Sequence, residues 1–291
     1  MTEKIHTLLI LGCGYVGERL ARACLDRGLR VIGTTRSPDR AEKMLALGME
    51  PVVTNLPTDI PDAMLATVDA ILDSIPLDRT AGTMKAGQPC WLPAMAGKLQ
   101  RVRWAGYLST TGVYGDAKGN WVDESWPCNP TSRRGIERLQ AESAWLKSGL
   151  PVEVFRLAGI YGPGRNIIPK LKAGNYKAVS WSPPHYSGRI HVDDIVAALL
   201  AAMDRPRPAR IINLVDDVPL PHADYVCELA SMVGAPPPLL LSPQEAEGCL
   251  SGAAMDFFRD SKRVRNRLLH AELLPRLTYP NFRSAVPLGL E

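Results

Sequence analysis

The run Thr7–Leu11 is apolar in all but its first residue and leads straight into Gly12-Cys13-Gly14-Tyr15-Val16-Gly17. That segment opens an amphipathic stretch, Tyr15–Arg27, with Val16, Leu20, Ala23 and Cys24 on one face. Glycines at this spacing, between a buried strand and a helix, leave few folds open, because each has a mechanical duty. Gly12 permits a tight turn. Gly14 lets the backbone approach a pyrophosphate, and Gly17 lets the helix pack on the strand. The free amides and positive dipole end of the helix favour an anion there. The alternative is a purely structural turn, and the place of the motif near the N-terminus favours the dinucleotide.

The pattern that follows alternates short aliphatic or β-branched runs with helical periodicity. Strands are expected at Arg30–Thr35, Pro51–Thr54, Ala70–Ser74, a run ending Tyr107–Ser109, Val152–Leu157 and Arg210–Val215. Helices are expected at Asp39–Leu47, Arg134–Lys147 and Asp193–Met203. Near-continuous apolar strands separated by helices point to an α/β fold, a doubly wound Rossmann parallel sheet of about seven strands covered on both faces. Residues 1–160, completed by 190–215, are expected to form the dinucleotide-binding domain, and residues 161–189 and 216–291 a smaller substrate-side lobe. Asp78–Pro93 gives a poor signal and is expected to be a loop holding at most one helix.

Composition removes several function classes. A chain of 291 residues with 46% hydrophobic and 22% charged residues has an ordinary globular core. Its net charge of +4 is mild, and basic residues cluster only at Arg133-Arg134 and Lys262-Arg263-Val264-Arg265. No nucleic-acid partner is expected. No apolar stretch approaches the roughly 20 residues that span a bilayer, and no signal peptide is visible, so a cytoplasmic protein without membrane contact is expected. The six cysteines are scattered and read as reduced thiols, and the five histidines include no metal-spaced pair.

The end of the second strand bears on the choice of cofactor. An NAD site usually places Asp or Glu there, against the ribose hydroxyls. Here Gly33-Thr34-Thr35-Arg36-Ser37 carries no acid until Asp39. Arg36 suits a 2′-phosphate, Thr35 and Ser37 add hydroxyl donors, and Arg40 offers a second cation. NADP is therefore expected over NAD. The alternative for Arg36 is an ordinary surface arginine.

Several further motifs occur in order. They are Leu108-Ser109-Thr110-Thr111-Gly112-Val113-Tyr114-Gly115-Asp116, Trp121-Val122-Asp123-Glu124 and Phe155-Arg156-Leu157-Ala158-Gly159-Ile160-Tyr161-Gly162-Pro163-Gly164. Arg189-Ile190-His191-Val192-Asp193-Asp194, Asp260-Ser261-Lys262-Arg263 and Tyr279-Pro280-Asn281-Phe282-Arg283 complete the set. With the glycine turn, they make nearly the whole chain resemble the extended short-chain dehydrogenase/reductases, the group that holds nucleotide-sugar epimerases and dehydratases. The resemblance implies an NAD(P)-dependent oxidoreductase or epimerase/dehydratase-like activity.

One departure stands out. The family's proton donor is a tyrosine with a lysine four residues on. Aligning Pro130 and Glu142 with the family puts Arg134 at the tyrosine position and Arg138 at the lysine position. The chain thus resembles the atypical members, in which the catalytic residues have drifted. Arg138, a permanent cation, could keep the lysine's hold on the ribose. Arg134 stays protonated near neutrality and is neither base nor useful acid, though it could clamp a developing oxyanion or a substrate anion.

Thr110 stands where the family's hydroxyl donor stands, and its alternative is a strand-end threonine bonding backbone. Tyr114, Tyr161, Asp73, His185 and Tyr186 are candidates for a substitute acid or base, each alone more readily a structural group. His191 and Asp193 read as a structural histidine and a helix N-cap. If Arg134, Arg138, Arg165, Lys170 and Arg189 converge, the small-molecule substrate is anionic. Two functions remain open: an NADP(H)-dependent enzyme with a non-standard proton relay, and a non-catalytic NADP(H)-sensing regulator or scaffold. A monomer or homodimer is expected.

Overall fold

The computed structural model describes residues 4–77, 85–250, 255, 258 and 260–286. The chain divides into two compact units. One takes in the chain as far as Thr110, with Ile136–Arg156 and Ile195–Ile212; the other takes in Thr111–Gly135, Leu157–Asp194 and the chain from Asn213 on.

The first elements in chain order are β1 (Thr7–Leu11), α1 (Tyr15–Asp26), β2 (Arg30–Thr35), α2 (Pro38–Ala46) and β3 (Glu50–Val53). They are followed by α3 (Asp62–Leu65), β4 (Ala70–Asp73), α4 (Gln88–Ala96) and β5 (Trp104–Thr110). Next come β6 (Trp121–Val122), α5 (Arg133–Leu146), β7 (Val152–Leu157), β8 (Gly159–Tyr161), α6 (Ile168–Lys172) and β9 (Lys177–Val179). Then come β10 (Tyr186–Ser187), β11 (Arg189–His191), α7 (Val192–Asp204), β12 (Ile211–Leu214), β13 (Leu220–Pro221) and α8 (His222–Met232). The last labelled elements are β14 (Leu239–Leu241), α9 (Pro243–Cys249) and β15 (Arg263–Val264).

The fold is α/β, built on a seven-stranded parallel sheet in the order β12-β7-β5-β4-β1-β2-β3. Leu8, Leu9, Ile10 and Leu11 of β1 are each 0% exposed. Burying such a side chain contributes about 1.5–3 kcal/mol, more than the spread of about 1 kcal/mol in strand propensities, so burial places this strand at the centre. β1 pairs with β2 on one side, Ile10 opposite Gly33, and with β4 on the other, Leu11 opposite Asp73. The chain therefore winds outward to β3 and returns across β1 to β4. That reversal makes a crevice at the carboxyl ends of β1 and β4, the place where open sheets of this kind take ligands.

The helix α1 buries Val16, Gly17, Leu20, Ala21 and Cys24. Ala21 thus lies on the packed face, while Ala23, expected there, is only half-buried. The poorly signalled stretch before residue 94 does hold a helix, α4, which buries Trp91, Leu92 and Met95. Proline stands in its first turn and again at Pro93, which breaks the apolar periodicity a sequence reader relies on. Residues 78–84 of that stretch lie outside the described residues. Trp91 meets Trp145 edge-on at 6.0 Å, and Tyr107 stacks on Trp145 at 6.4 Å, so aromatic packing ties α4 and α5 to β5.

The other unit has its own core, in which Tyr161, Ile168, Leu171, Ala178, Tyr225, Val226, Leu229 and Phe282 pack together. Its sheets are short pairs between segments far apart in sequence: β8 with β11, β9 with β14 and β6 with β15, all parallel, and β10 with β13, antiparallel. Among the described residues, no helix is long and apolar enough to cross a membrane.

Candidate functional site

At the carboxyl end of β1, Gly12 and Gly17 take the turning and packing duties expected of them. Gly12 has φ +69°, and a Cβ there would lie 2.9 Å from Ile75 Cα in the turn after β4. Its amide donates to Thr34 Oγ1 at 2.8 Å, and its carbonyl accepts from Ser74 Oγ at 3.1 Å. A Cβ on Gly17 would sit 3.0 Å from Ile10 Cγ2, so only glycine lets α1 pack this closely on β1. A Cβ on Gly14 would meet nothing nearer than Gly12 O at 3.7 Å, so the backbone here borders open space. Gly14 is also the N-cap of α1 and has no side chain to close it, which leaves first-turn amides for an anion. These features fit a dinucleotide's pyrophosphate.

Val16 is buried beside the turn, and Arg19 lies over the Tyr15 ring at 3.8 Å and donates to Tyr15 O at 3.0 Å. The Cys13 thiol is 2% exposed, and burial pushes its pKa up to about 12, so it remains a thiol.

At the end of β2, Thr35 Oγ1 accepts from Ser37 N at 3.1 Å, and Ser37 Oγ caps α2 by accepting from Arg40 N at 3.3 Å. Neither hydroxyl donates a hydrogen bond among the described residues. Arg36 is exposed and makes no hydrogen bond or ion pair among the described residues. Arg40, expected as a second cation, is engaged within the protein. Its Nη2 donates to Cys13 O at 3.0 Å and pairs with Glu18 Oε1, so it fastens the glycine turn to α2.

The carboxyl end of β5 is set by a buried network. Ser109 Oγ donates to Glu142 Oε1, and the Glu142 carboxylate takes both Arg156 Nε at 3.2 Å and Nη2 at 2.9 Å. Thr110, one residue on, is half-buried. Arg138 is half-buried too, and its Nη1 donates to Tyr107 Oη at 3.0 Å and Ile75 O at 3.2 Å. The guanidinium therefore reaches the turn after β4. Arg134 lies exposed on the first turn of α5.

The candidates for a substitute acid or base fare differently. Tyr114 is 1% exposed and its hydroxyl donates to Asn213 Oδ1 at 2.7 Å, so it is a buried strut and leaves the catalytic set. Asp73 is 0% exposed; its carboxylate accepts from Trp145 Nε1 at 2.7 Å, Gln88 Nε2 at 2.8 Å and Ile75 N at 2.9 Å. Burial holds its pKa above the usual carboxylate range, as expected, but the same burial makes it an anchor for α4 and α5. Tyr186 is half-buried under the Arg263 guanidinium, 5.0 Å away, and His185 is 4% exposed with its pKa lowered by burial.

In the other unit, Gly115 turns with φ +71°, and a Cβ there would fall 1.9 Å from Asn129 O. Glycine is thus obligatory in the Val113-Tyr114-Gly115 motif. His191 takes the cap position expected of Asp193: its Nδ1 accepts from Asp193 N at 3.2 Å, and its ring lies 3.7 Å from that of Tyr279. Arg165 and Lys170 are exposed, whereas Arg189 is buried at 8% exposure, over the Tyr225 ring at 3.5 Å and beside His222. The Arg189, Tyr225 and His222 grouping had no sequence signal, because its members are joined only by the fold.

No family model matches the chain. A solved structure of a functionally unknown conserved protein from Silicibacter pomeroyi DSS is 40% identical, with a TM-score of 0.87 and 97% of each chain covered. Protein YeeZ of Escherichia coli (strain K12) is 28% identical over 244 residues, which is 79% of this chain and 84% of YeeZ. The dTDP-glucose 4,6-dehydratase of Bacillus anthracis str. Ames, solved in complex with NAD, superposes with a TM-score of 0.77 at 16% identity, covering 98% of this chain and 95% of its own. That last likeness is one of fold.

Proposed function

We propose that this chain, which belongs to one family with the functionally unknown conserved protein from Silicibacter pomeroyi DSS and has the NAD-dependent epimerase/dehydratase fold, is an NADP(H)-dependent enzyme. It acts as an oxidoreductase, or in the manner of an epimerase or dehydratase, on a small, anionic or nucleotide-sugar-like substrate. The observation that carries the reading is the pairing of an open, uncapped glycine turn at Gly14 with the unengaged Arg36 at the end of the neighbouring strand.

In this reading, the amides after Gly14 hold the pyrophosphate. Arg36 takes the 2′-phosphate with its planar fork, helped by the hydroxyls of Thr35 and Ser37. The bound nicotinamide supplies hydride transfer. Arg138, fixed by Tyr107 and Ile75, brings a permanent cation to the turn after β4, where it takes over the ribose contact of the family's lysine. Thr110, held in place by the Ser109–Glu142–Arg156 network, donates to a substrate oxygen. Arg134 acts only as a cation.

The test is turnover of NADPH against a panel of carbonyl compounds and sugar nucleotides. NADPH consumption that depends on Thr110 supports the reading, and silence from protein shown to bind NADPH counts against it.

The burial of Tyr114 and Asp73 favours a second reading, a non-catalytic NADP(H)-sensing regulator or scaffold, since both are engaged in structural bonds. It requires a protein partner whose affinity changes with the cofactor's redox state. Equal partner binding with NADP, with NADPH and with neither would eliminate it.

A further inference from the structure

Arg156, Arg189 and Arg210 are all buried, at 4%, 8% and 8% exposure. A buried guanidinium is costly unless a carboxylate accompanies it. Arg156 has Glu142, at 2.9 Å, and Arg210 has Glu153, whose Oε2 accepts from its Nε at 2.7 Å. Arg189 has no carboxylate within ion-pair distance among the described residues. Its Nη1 donates to Ser187 O at 3.1 Å, and its Nη2 reaches Ser187 Oγ at 3.3 Å and His222 Nδ1 at 3.5 Å. The flat face rests on Tyr225.

Asp216, whose amide donates to Arg189 O at 2.7 Å, is 4% exposed, and burial holds its carboxyl well above the usual range. Its Oδ1 has no hydrogen-bond partner among the described residues. His222 is pushed down to about 3 by burial and by the Arg189 charge, so it is neutral. The Tyr161 hydroxyl, on a residue 5% exposed and within electrostatic reach of both Asp216 and Arg189, also lacks a partner among the described residues. Tyr176 Oη lies 3.5 Å from His222 Nε2. Among the described residues Arg189 thus has no paired carboxylate, and Asp216 and Tyr161 near it each keep a buried polar atom unmatched.

We propose that Arg189, with Tyr161, Asp216 and His222, forms a binding site for a single oxyanion group, a carboxylate or a phosphoryl, carried by a ligand. All its residues lie in one unit. Its assignment as the anchor of a substrate rests on the enzyme reading above; the site itself does not. The anion supplies a counter-charge and accepts from the guanidinium and from the Tyr161 hydroxyl.

The test uses the full chain at constant ionic strength, replacing chloride in steps by inorganic phosphate in one arm and acetate in the other. The thermal midpoint is followed, because a ligand that binds only the folded state raises it in a saturable way. Wild type is expected to saturate with at least one of the two. Saturation by phosphate alone marks a phosphoryl site, and saturation by acetate alone a carboxylate site. Arg189→Gln is expected to lose affinity by about 10- to 100-fold, the value of a charge-assisted bond. Its NADPH affinity should be unchanged, which shows an intact fold and separates this proposal from the cofactor reading. Tyr161→Phe removes a hydroxyl that bonds nothing else among the described residues, and should weaken the anion several-fold without lowering the midpoint, so it decides the matter if Arg189→Gln does not fold. A wild-type response no greater than that to chloride overturns the proposal. So does an undiminished response in Arg189→Gln or Tyr161→Phe.

Discussion

Replacing Arg36 by alanine separates the phosphate of NADP from everything else the glycine turn does. Arg36 is exposed and makes no bond to the protein among the described residues, so its loss should change stability by less than about 0.5 kcal/mol. A guanidinium on a 2′-phosphate makes charge-assisted hydrogen bonds worth about 1.5–3 kcal/mol. Removing them should weaken NADPH by about 10- to 150-fold while leaving NADH within about twofold. Arg40→Ala is the natural contrast. It breaks the Glu18 pair and the bond to Cys13 O that steady the turn, so it should weaken NADPH and NADH alike, and modestly, as exposed pairs do. The assay is equilibrium fluorescence titration of both reduced nucleotides against wild type and the two variants. An Arg36→Ala protein that keeps its NADPH affinity, or loses NADPH and NADH in parallel, would refute the phosphate assignment.

Other outcomes follow from the same geometry. Gly14→Val should abolish binding of both nucleotides yet leave the unfolding midpoint near wild type, since its Cβ has room within the protein but not beside a pyrophosphate; a folded variant that still binds would show that the turn holds no phosphate. Glu142→Ala strands Arg156 in the core and should cost about 3–5 kcal/mol in urea unfolding, and a cost under about 1 kcal/mol would mean the pair is not buried in solution. His222 has its pKa lowered to about 3, so the folded state binds its proton less readily than the unfolded chain. Its contribution is whole above about pH 6.5 and is lost as pH falls toward the folded value, at about 1.4 kcal/mol per pH unit. Denaturant unfolding in chloride between pH 7 and 5 should therefore show a shallower pH slope for His222→Phe than for wild type; equal slopes contradict the shift.

The legible parts of the fold were those with a local cause. Thr7–Leu11, Arg30–Thr35 and Val152–Leu157 have the bounds expected of them, because short aliphatic and β-branched stretches between helical segments mark strands. The glycine turn was legible from its spacing between strand and helix, although Gly12 answers to Ile75 in the distant turn after β4. Helix α4 was obscured by Pro93 and a proline in its first turn, where tertiary packing of Trp91 against Trp145 overrides local preference. Arg36 and Arg40 look equivalent in sequence, and only the fold brings Glu18 to one and not the other. Tyr114 looked available because its motif sits at a strand end, yet Asn213, nearly a hundred residues on, takes its hydroxyl. The missing counter-ion of Arg189 likewise has no trace in the sequence, since it depends on which carboxylates fail to arrive.

The central claim is that the turn at Gly12–Gly17 takes a phosphorylated nicotinamide dinucleotide. Competition at equilibrium measures it directly: NADP displaces NADPH from the purified chain, and NAD does so only at concentrations at least about tenfold higher. A chain that leaves NADPH fluorescence unaltered at millimolar protein and nucleotide, or one from which NAD displaces it as readily as NADP, contradicts the account.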